Sequence, residues 1–318
     1  MSTYNNDGNN RHNRYDLYQR TFKRNIKKGM SVPEKFDVII VGGGPAGIFT
    51  ALQLVRANNV SILMVEKGKD LDERRCPVRD TDGSCIECQP CNLVCGLGGA
   101  GAFSDGKLVL SSQVGGYLGE YLGDDDIERL IRSVDDLYLQ FGASKNLYGA
   151  DSQSRQIGLR AEQTGLKLIP TPVRHMGTEN CYSVLRAMQD YLAPRIELKL
   201  GTMAARTIVE SGRVRGIETE DGETYYADYV VLAPGREGSD WLSHEAERLK
   251  LTMYHNPIDV GVRVELPVEV MQEITDILYE IKLEYFTRSF NDRVRRWSRR
   301  QAGCTSCPRL GKRRWPGR

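Results

Sequence analysis

The sequence predicts an α/β protein whose parallel sheet is entered twice by the chain, and three stretches predict it. The first is FDVIIVGGGPAGIFTALQLVRANNVSILMVEKG, residues 36–68, which reads as strand, glycine turn, helix and strand. The second is IELKLGTMAARTIVESGRVRGIETEDGETYYADYVVLAPGR, residues 196–236, a run of strands separated by turns. The third is the helical periodicity that lies between them.

Residues 36–41 form a short β-branched run of the kind a buried parallel strand needs. Gly42, Gly44 and Gly47 then supply G-x-G-x-x-G. The first glycine permits the tight turn, the second lets backbone approach a pyrophosphate, and the third lets helix pack closely on strand. Residues 48–57 have helical spacing, so the free N–H groups of that helix point at the phosphates. The strand over 60–65 ends at Glu66, about 20 residues beyond the glycines, where an acid accepts hydrogen bonds from a ribose. A carboxylate there disfavours a 2′-phosphate, which leaves FAD or NAD.

Two later stretches move the choice to FAD. GLGGAGAFSDGK, residues 96–107, is a second glycine-rich loop whose backbone can approach a flat ring, with Ser104, Asp105 and Lys107 as polar contacts. In the 196–236 run, Ser211-Gly212 and Asp221-Gly222 are turn signals between alternating strands. Its last strand, 229–232, ends in Ala233-Pro234-Gly235-Arg236 and returns the chain to the nucleotide domain after a long insertion.

The insertion is mostly helical over 118–165. Ile127, Leu130, Ile131, Val134 and Leu137 share a face, and Asp124 to Asp126 suit a helix N-terminus. A further helix over 179–192 is ended by Pro194. Beyond the return, PIDVGVRVELP, residues 257–267, alternates as one strand. A helix over 268–280 follows, and then 282–290.

At 318 residues and 35.8 kDa the chain is long enough for a sizeable core and two or three domains. A net charge of +2 gives no reason to expect nucleic acid or membrane as a partner, and no apolar run reaches the length of a membrane span. The first residues lack the apolar centre of a secretory signal, so the expected compartment is the cytoplasm. In a reducing compartment clustered cysteines bind metal or do redox chemistry sooner than they form a disulfide framework.

Five cysteines fall within twenty residues: Cys76, Cys85, Cys88, Cys91 and Cys95. CIECQPCNLVCG has the x2, x2, x3 spacing of a bacterial ferredoxin run, with Gly96 where proline would follow. A 4Fe–4S site would take its fourth thiolate from Cys76 and leave Cys95 spare. Zinc is a second reading. Reduced cysteines lining the loop into a flavin site are a third, and the spacing leaves all three open.

With these motifs stated, VIIVGGGPAG, Glu66 and LAPG resemble the glutathione-reductase-type FAD domains. More narrowly, ERRCP, CIECQPCNLVCGLGGAGAFSDGKL, RHMGT and VVLAPGR resemble the uncharacterised FAD-dependent dehydrogenase family of bacteria and archaea, over about residues 35–295. The resemblance implies a Rossmann-type FAD-binding domain with β-meander, a helical insertion and an incomplete α+β substrate domain. It implies that Gly42, Gly44, Pro45, Ala46 and Gly47 hold the pyrophosphate and Glu66 the adenosine ribose. Gly98, Gly99 and Gly101 would lie along the flavin, Ala204 near the adenine, and Ala233, Pro234 and Gly235 on the other side of the dinucleotide. A flavin-dependent oxidoreductase follows, with a small-molecule substrate or an electron-transfer partner. The rivals are a flavin and iron–sulfur electron-transfer module, or an NAD-binding or thiol-redox protein of the same fold.

The expected divisions are a polar and basic leader (1–34), the first part of the FAD domain (35–112), a helical insertion (113–193), the second part of the FAD domain (194–250), the start of a substrate domain (251–295) and a basic tail (296–318). In RHMGT, Arg174 is a candidate for orienting an anionic substrate and His175 for donating or accepting a proton. A Gly-Asp strand end that such FAD domains carry near their C-terminus is missing after Gly235, and periodicity is lost from about Arg296. A reading frame lost near Arg295 accounts for this. A basic binding arm, or half a zinc knuckle at Cys304 and Cys307, are the alternatives.

Overall fold

A computed structural model describes residues 35–286 apart from 58, 80, 82, 255–259 and 263, together with the backbone of 293–299. The leader, and the tail from 300 with Cys304 and Cys307, lie outside the described residues.

The first unit forms as β1 (Lys35–Val41), α1 (Pro45–Leu54) and β2 (Ile62–Glu66). The helix starts three residues before the expected 48, because Pro45 sits at its first position with φ already set. It stops earlier too, before a left-handed Asn59 (φ 68). The insertion contributes β3 (Lys107–Val109), α2 (Asp124–Gln140), β4 (Leu147–Tyr148), α3 (Ser152–Gln163), β5 (Lys167–Leu168), β6 (Val173–His175) and α4 (Thr178–Leu192). Asp151 starts α3 by accepting a hydrogen bond from the Ser154 amide at 2.8 Å. The chain then returns as β7 (Glu197–Leu200), β8 (Ala204–Glu210), β9 (Arg213–Thr219) and β10 (Thr224–Leu232), followed by α5 (Ser239–Arg248). Ser211 and Gly212 (φ 51 and 75) make the tight turn that their sequence predicts.

The main sheet has the order β7-β2-β1-β10-β9-β8. The first four strands run parallel, and β10, β9 and β8 form the antiparallel meander. Both faces of β1 and β2 are covered, which is why they read as unbroken apolar runs. On one face Ile40, Met64, Ile48 and Leu52 pack with Val184 and Met188 of α4. On the other, Ile39, Leu63 and Val65 pack with Ile217 and Ala227 of the meander. Each of these large side chains contributes roughly 1.5–3 kcal/mol by leaving water. The predicted α/β class with a doubly covered parallel sheet is therefore the observed one.

The remaining elements are α6 (Val268–Thr275), β11 (Glu280–Phe286) and β12 (Arg293–Arg299). Two small sheets, β12-β11-β5 and β3-β6-β4, complete the described structure. Three expectations need correction here. The strand predicted over 257–267 does not appear at the described positions 260–262 and 264–266, where alternation finds no partner strand. The helix predicted to 280 ends at Thr275, because the chain from Glu280 is drawn into β11, where Leu283 and Glu284 pair with β5. The loss of periodicity placed at Arg296 does not end regular structure, since β12 pairs with β11 as far as Arg299↔Glu280.

Candidate functional site

The glycine turn lies at the carboxyl ends of β1, β2 and β10. It is held between them by backbone alone: Gly42 N donates to Val65 O and Ala233 N to Val41 O, each at 2.8 Å. Gly42 has φ +109, and a Cβ there would overlap the Ala233 carbonyl oxygen. A Cβ on Gly47 would overlap the Gly42 oxygen, so only glycine lets α1 enter this closely. Gly44 is the N-cap of α1 and has no side chain to cap it, and Pro45 and Ala46 are exposed. The first amides of α1 thus lack a side-chain acceptor and face an open surface, an arrangement that suits a phosphate oxygen.

The second glycine loop packs on the first. Gly98 N donates to Gly43 O at 2.8 Å, and a Cβ on Gly99 would stand 3.2 Å from the Gly44 Cα. Residues 99–103 form a 3-10 turn that carries Gly101 past Pro45 and leads into Ser104–Lys107. The two glycine-rich stretches, residues 42–47 and 96–107, therefore wall one surface.

Glu66 is buried at the tip of β2. Its Oε2 accepts from Gly43 N at 2.7 Å, and its Oε1 accepts from Gly68 N and Gly96 N, both at 2.8 Å. Oε1 is thereby saturated, and the remaining lone pair on Oε2 is the position at which a ribose hydroxyl can donate. Ala204 begins β8, and its methyl belongs to the core beside Phe36 and Ile39. Its neighbours Gly201 and Thr202 donate to Gly68 O and Glu66 O, which brings the start of β8 to the same strand end as Glu66. Ala233 abuts Gly42 through its carbonyl, and Pro234 accepts from Gly238 N. Gly235 is exposed, turned by φ +65, and packs on nothing within 4 Å of its Cβ direction.

Arg74 carries no signal in the sequence beyond its place in ERRCP, yet it organises the loop. Its Nε donates to Asn92 O (2.9 Å), Nη1 to Leu97 O (2.6 Å), and Nη2 to Leu93 O (3.1 Å) and Gly99 O (2.8 Å). The guanidinium also lies over the Phe103 ring, 4.9 Å from its centroid. Burial pushes its pKa down, and Glu66 opposes that shift.

The cysteines do not gather. Cys85 is exposed, Cys76, Cys88 and Cys91 are half-buried, and Cys95 is buried at 4% exposure. All are free thiols, and among the described residues no three His, Cys, Asp or Glu side chains come together as metal ligands. This arrangement gives the iron–sulfur and zinc readings no support among the described residues. Arg74, with its four backbone acceptors, fixes the Asn92–Gly99 arc so that Cys95 turns inward while Cys85 sits outside. Burial pushes the Cys95 thiol pKa up, partly offset by Lys67.

Arg174, the candidate for orienting an anionic substrate, is turned into the protein. It is buried, pairs with both oxygens of Asp135 (Nη2 to Oδ2 at 2.7 Å) and donates to Ser144 O at 2.8 Å. The hydrogen bonds it donates to Asp135 raise its pKa, so its charge is spent joining β6 to α2. His175, next in the chain, points to the other side. It is half-exposed and stacked on Tyr279, with ring centroids 4.4 Å apart. Tyr279 donates from Oη to Asp105 Oδ2 at 3.1 Å, and Tyr148 stands 5.9 Å beyond it. Lys107 is the cross-strand neighbour of His175 and forms an ion pair with the buried Glu280. The Lys282 ammonium is 3.3 Å from Glu280 Oε1 but not aligned for a hydrogen bond. Asp105, Lys107, His175, Tyr279 and Glu280 thus meet at the end of the second glycine loop. Tyr279 and Glu280 carry no site signal in the sequence, whose local pattern predicts a helix through them.

No protein-family model matches the chain. A stretch of 74 residues is 48% identical to an uncharacterized protein of Clostridium beijerinckii, covering 22% of this chain and 13% of that one. Among solved structures, L-amino acid deaminase from Proteus vulgaris aligns with a TM-score of 0.41 and 16% identity over 69% of this chain and 51% of its own. Glycine oxidase from Geobacillus kaustophilus aligns at 0.41 and 16% (69% and 59%), and L-proline dehydrogenase from P. horikoshii at 0.37 and 15% (68% and 57%). The chain spans between half and three fifths of the length of these proteins. At this depth of likeness neither activity nor substrate transfers to it.

Proposed function

We propose that the chain binds FAD on the surface walled by its two glycine-rich loops and works as an FAD-dependent oxidoreductase. The observation that supports this most is the packing of Gly98 and Gly99 onto Gly43 and Gly44, which joins the uncapped N-terminus of α1 to a second backbone wall. Gly42, Gly44, Ala46 and Gly47 would hold the pyrophosphate, and Glu66 Oε2 a ribose hydroxyl. Gly99 and Gly101 would lie along the ring system. Bound there, FAD supplies an acceptor or donor of a hydride or of single electrons.

The chain's own residues provide the proton chemistry and the positioning. Tyr279 and His175 are half-exposed and stacked on each other, and Asp105 holds the phenol by its hydrogen bond. A substrate hydroxyl or amine brought to them has a proton acceptor within one hydrogen bond of a carboxylate. Lys107 is held at its ion pair with Glu280 and fixes the position of His175 across the β3–β6 ladder. Substrate and electron partner are a small molecule or a protein.

The test is purification of the chain, acid release of any bound cofactor, and titration of the stripped protein with FAD and with NAD. FAD in the released fraction, or tighter binding of FAD than of NAD, is the expected result. No binding of FAD at roughly 1 mM, a level where even a −4 kcal/mol interaction half-fills a site, overturns the reading.

A further inference from the structure

The cysteine segment is tied to the glycine turn more closely than a loop that merely passes by. Glu66 holds three amides from three separate turns: Gly43 in the dinucleotide turn, Gly68 after β2, and Gly96 directly after Cys95. Arg74 gathers the carbonyls of Asn92, Leu93, Leu97 and Gly99. Leu97 N donates to Lys69 O, and Gly98 N to Gly43 O. A Cβ on Gly68 or on Gly96 would overlap the other turn or Arg74, so the layers leave no slack. By contrast the segment's outer lobe is loosely held: Cys85 and Ile86 are exposed, and Glu87 N donates only to Cys85 Sγ at 3.4 Å.

From this we infer that Glu66 and Arg74 are positioning residues that couple the dinucleotide turn to the inner half of the cysteine segment, so that occupancy of the turn sets how often Cys91 and Cys95 open to solvent. The inference rests on the dinucleotide reading of the turn. A ligand that fixes Gly43 and Gly44 fixes Gly96 through Glu66 and Gly99 through direct contact. Cys95 then opens only when that contact set breaks. Cys85 lies outside the suture and does not feel it. Coupling of this kind is reciprocal, so modification of the inner thiols weakens nucleotide binding by the same factor.

The full chain is labelled with a maleimide, with and without saturating FAD, and the rate at each cysteine is followed by peptide mass spectrometry. A slowing of about 10-fold at Cys95 and Cys91, with Cys85 changed less than about twofold, is expected for a coupling at the lower end of the usual range. Equal protection of all these thiols would show general stabilisation and overturn the coupling, as would no protection although FAD binds. Glu66→Gln separates this from the dinucleotide reading. Its amide N–H groups cannot accept, so either Gly43 or the Gly68–Gly96 pair loses its anchor. Without any nucleotide, Cys95 labelling should rise by about 10-fold relative to Cys85. Should that variant fail to fold, Arg74→Lys keeps the charge but loses the fork, and the same ratio should rise. If FAD does not bind, the dinucleotide reading falls, and the Cys95 to Cys85 ratio in these variants still decides whether the suture exists.

Discussion

The first glycine turn and the polar cluster at β3, β6 and β11 are joined by one loop, yet they are held together by opposite means. At the turn, glycines bring backbone against backbone: Gly42 on Ala233, Gly47 on Gly42, Gly99 on Gly44. At the cluster, long charged side chains span the gaps: Arg174 to Asp135, Lys107 to Glu280. The first kind of contact tolerates no added atom. The second tolerates shape change but not loss of a partner, because a buried charge is then left without its counter-charge. A phosphate site needs the former, since backbone must reach the ligand. A site that handles protons needs the latter, since its groups must titrate and move.

The sharpest break of this contrast is Gly47→Val. The new Cβ meets a backbone oxygen that cannot swing aside, so the cost should exceed the ~3 kcal/mol of ordinary overpacking and remove FAD binding. A thermal melt and an FAD titration check it; binding within threefold of the parent would mean that the turn is looser than its contacts imply.

Asp135→Ala strands the buried Arg174 guanidinium and should cost roughly 3–4 kcal/mol in urea unfolding, whereas the double change with Arg174→Leu should recover part of it. Equal loss in single and double variants would speak against an ion pair as the link between β6 and α2.

A third effect lies outside both regions, where α5 docks on β8. Burial pushes the Glu245 carboxyl up, but Arg248 and the amide and hydroxyl of Thr207 outweigh burial and hold its pKa down at about 2. A depressed carboxylate stabilises the fold above its unfolded value near 4.5, and that stabilisation is lost as pH falls through about 2. Because Arg248 is 40% exposed, we expect roughly 2 kcal/mol between these pH values rather than the full shift. The parent should lose this increment on acidification, and Glu245→Gln should not.

Smaller still, Tyr279→Phe removes one half-buried hydrogen bond to Asp105 and should cost about 1 kcal/mol while leaving FAD affinity unchanged. A large fall in FAD affinity would place Tyr279 in cofactor binding instead of proton handling. At the far end, Val262→Thr, at a side chain 90% exposed, should move stability by less than about 0.5 kcal/mol.

The two regions also differ in how far they could be read in advance. The β1–α1–β2 unit was legible nearly residue by residue, because its determinants are local: a β-branched run, glycines at fixed offsets, a helix and a terminal acid. The meander was legible for the same reason, through its Ser211-Gly212 and Asp221-Gly222 turns. The polar cluster was only half legible. His175 stands out as a polar side chain in an unpatterned stretch, but its neighbour Arg174 is a buried strut, and the local pattern predicts helix at Tyr279. Strand β11 takes its place from pairing with β5, more than a hundred residues earlier, and no local pattern encodes that. The cysteine spacing leaves cluster, zinc and bare thiols open because spacing alone says nothing about direction. Arg74, whose role is made of four backbone carbonyls, turned Cys95 inward and left Cys85 outside.

By itself, then, the sequence determined the α/β class, the two glycine-rich loops and the acid at the end of β2, because each is written in neighbouring residues and short-range sterics. Only the tertiary structure decided that the second loop closes over the first, that Glu66 divides its carboxylate among Gly43, Gly68 and Gly96, and that Asp105, His175 and Tyr279 meet. Those are long-range contacts between polar groups, and their partners are chosen by burial after the chain has collapsed, when every donor left without an acceptor carries a cost.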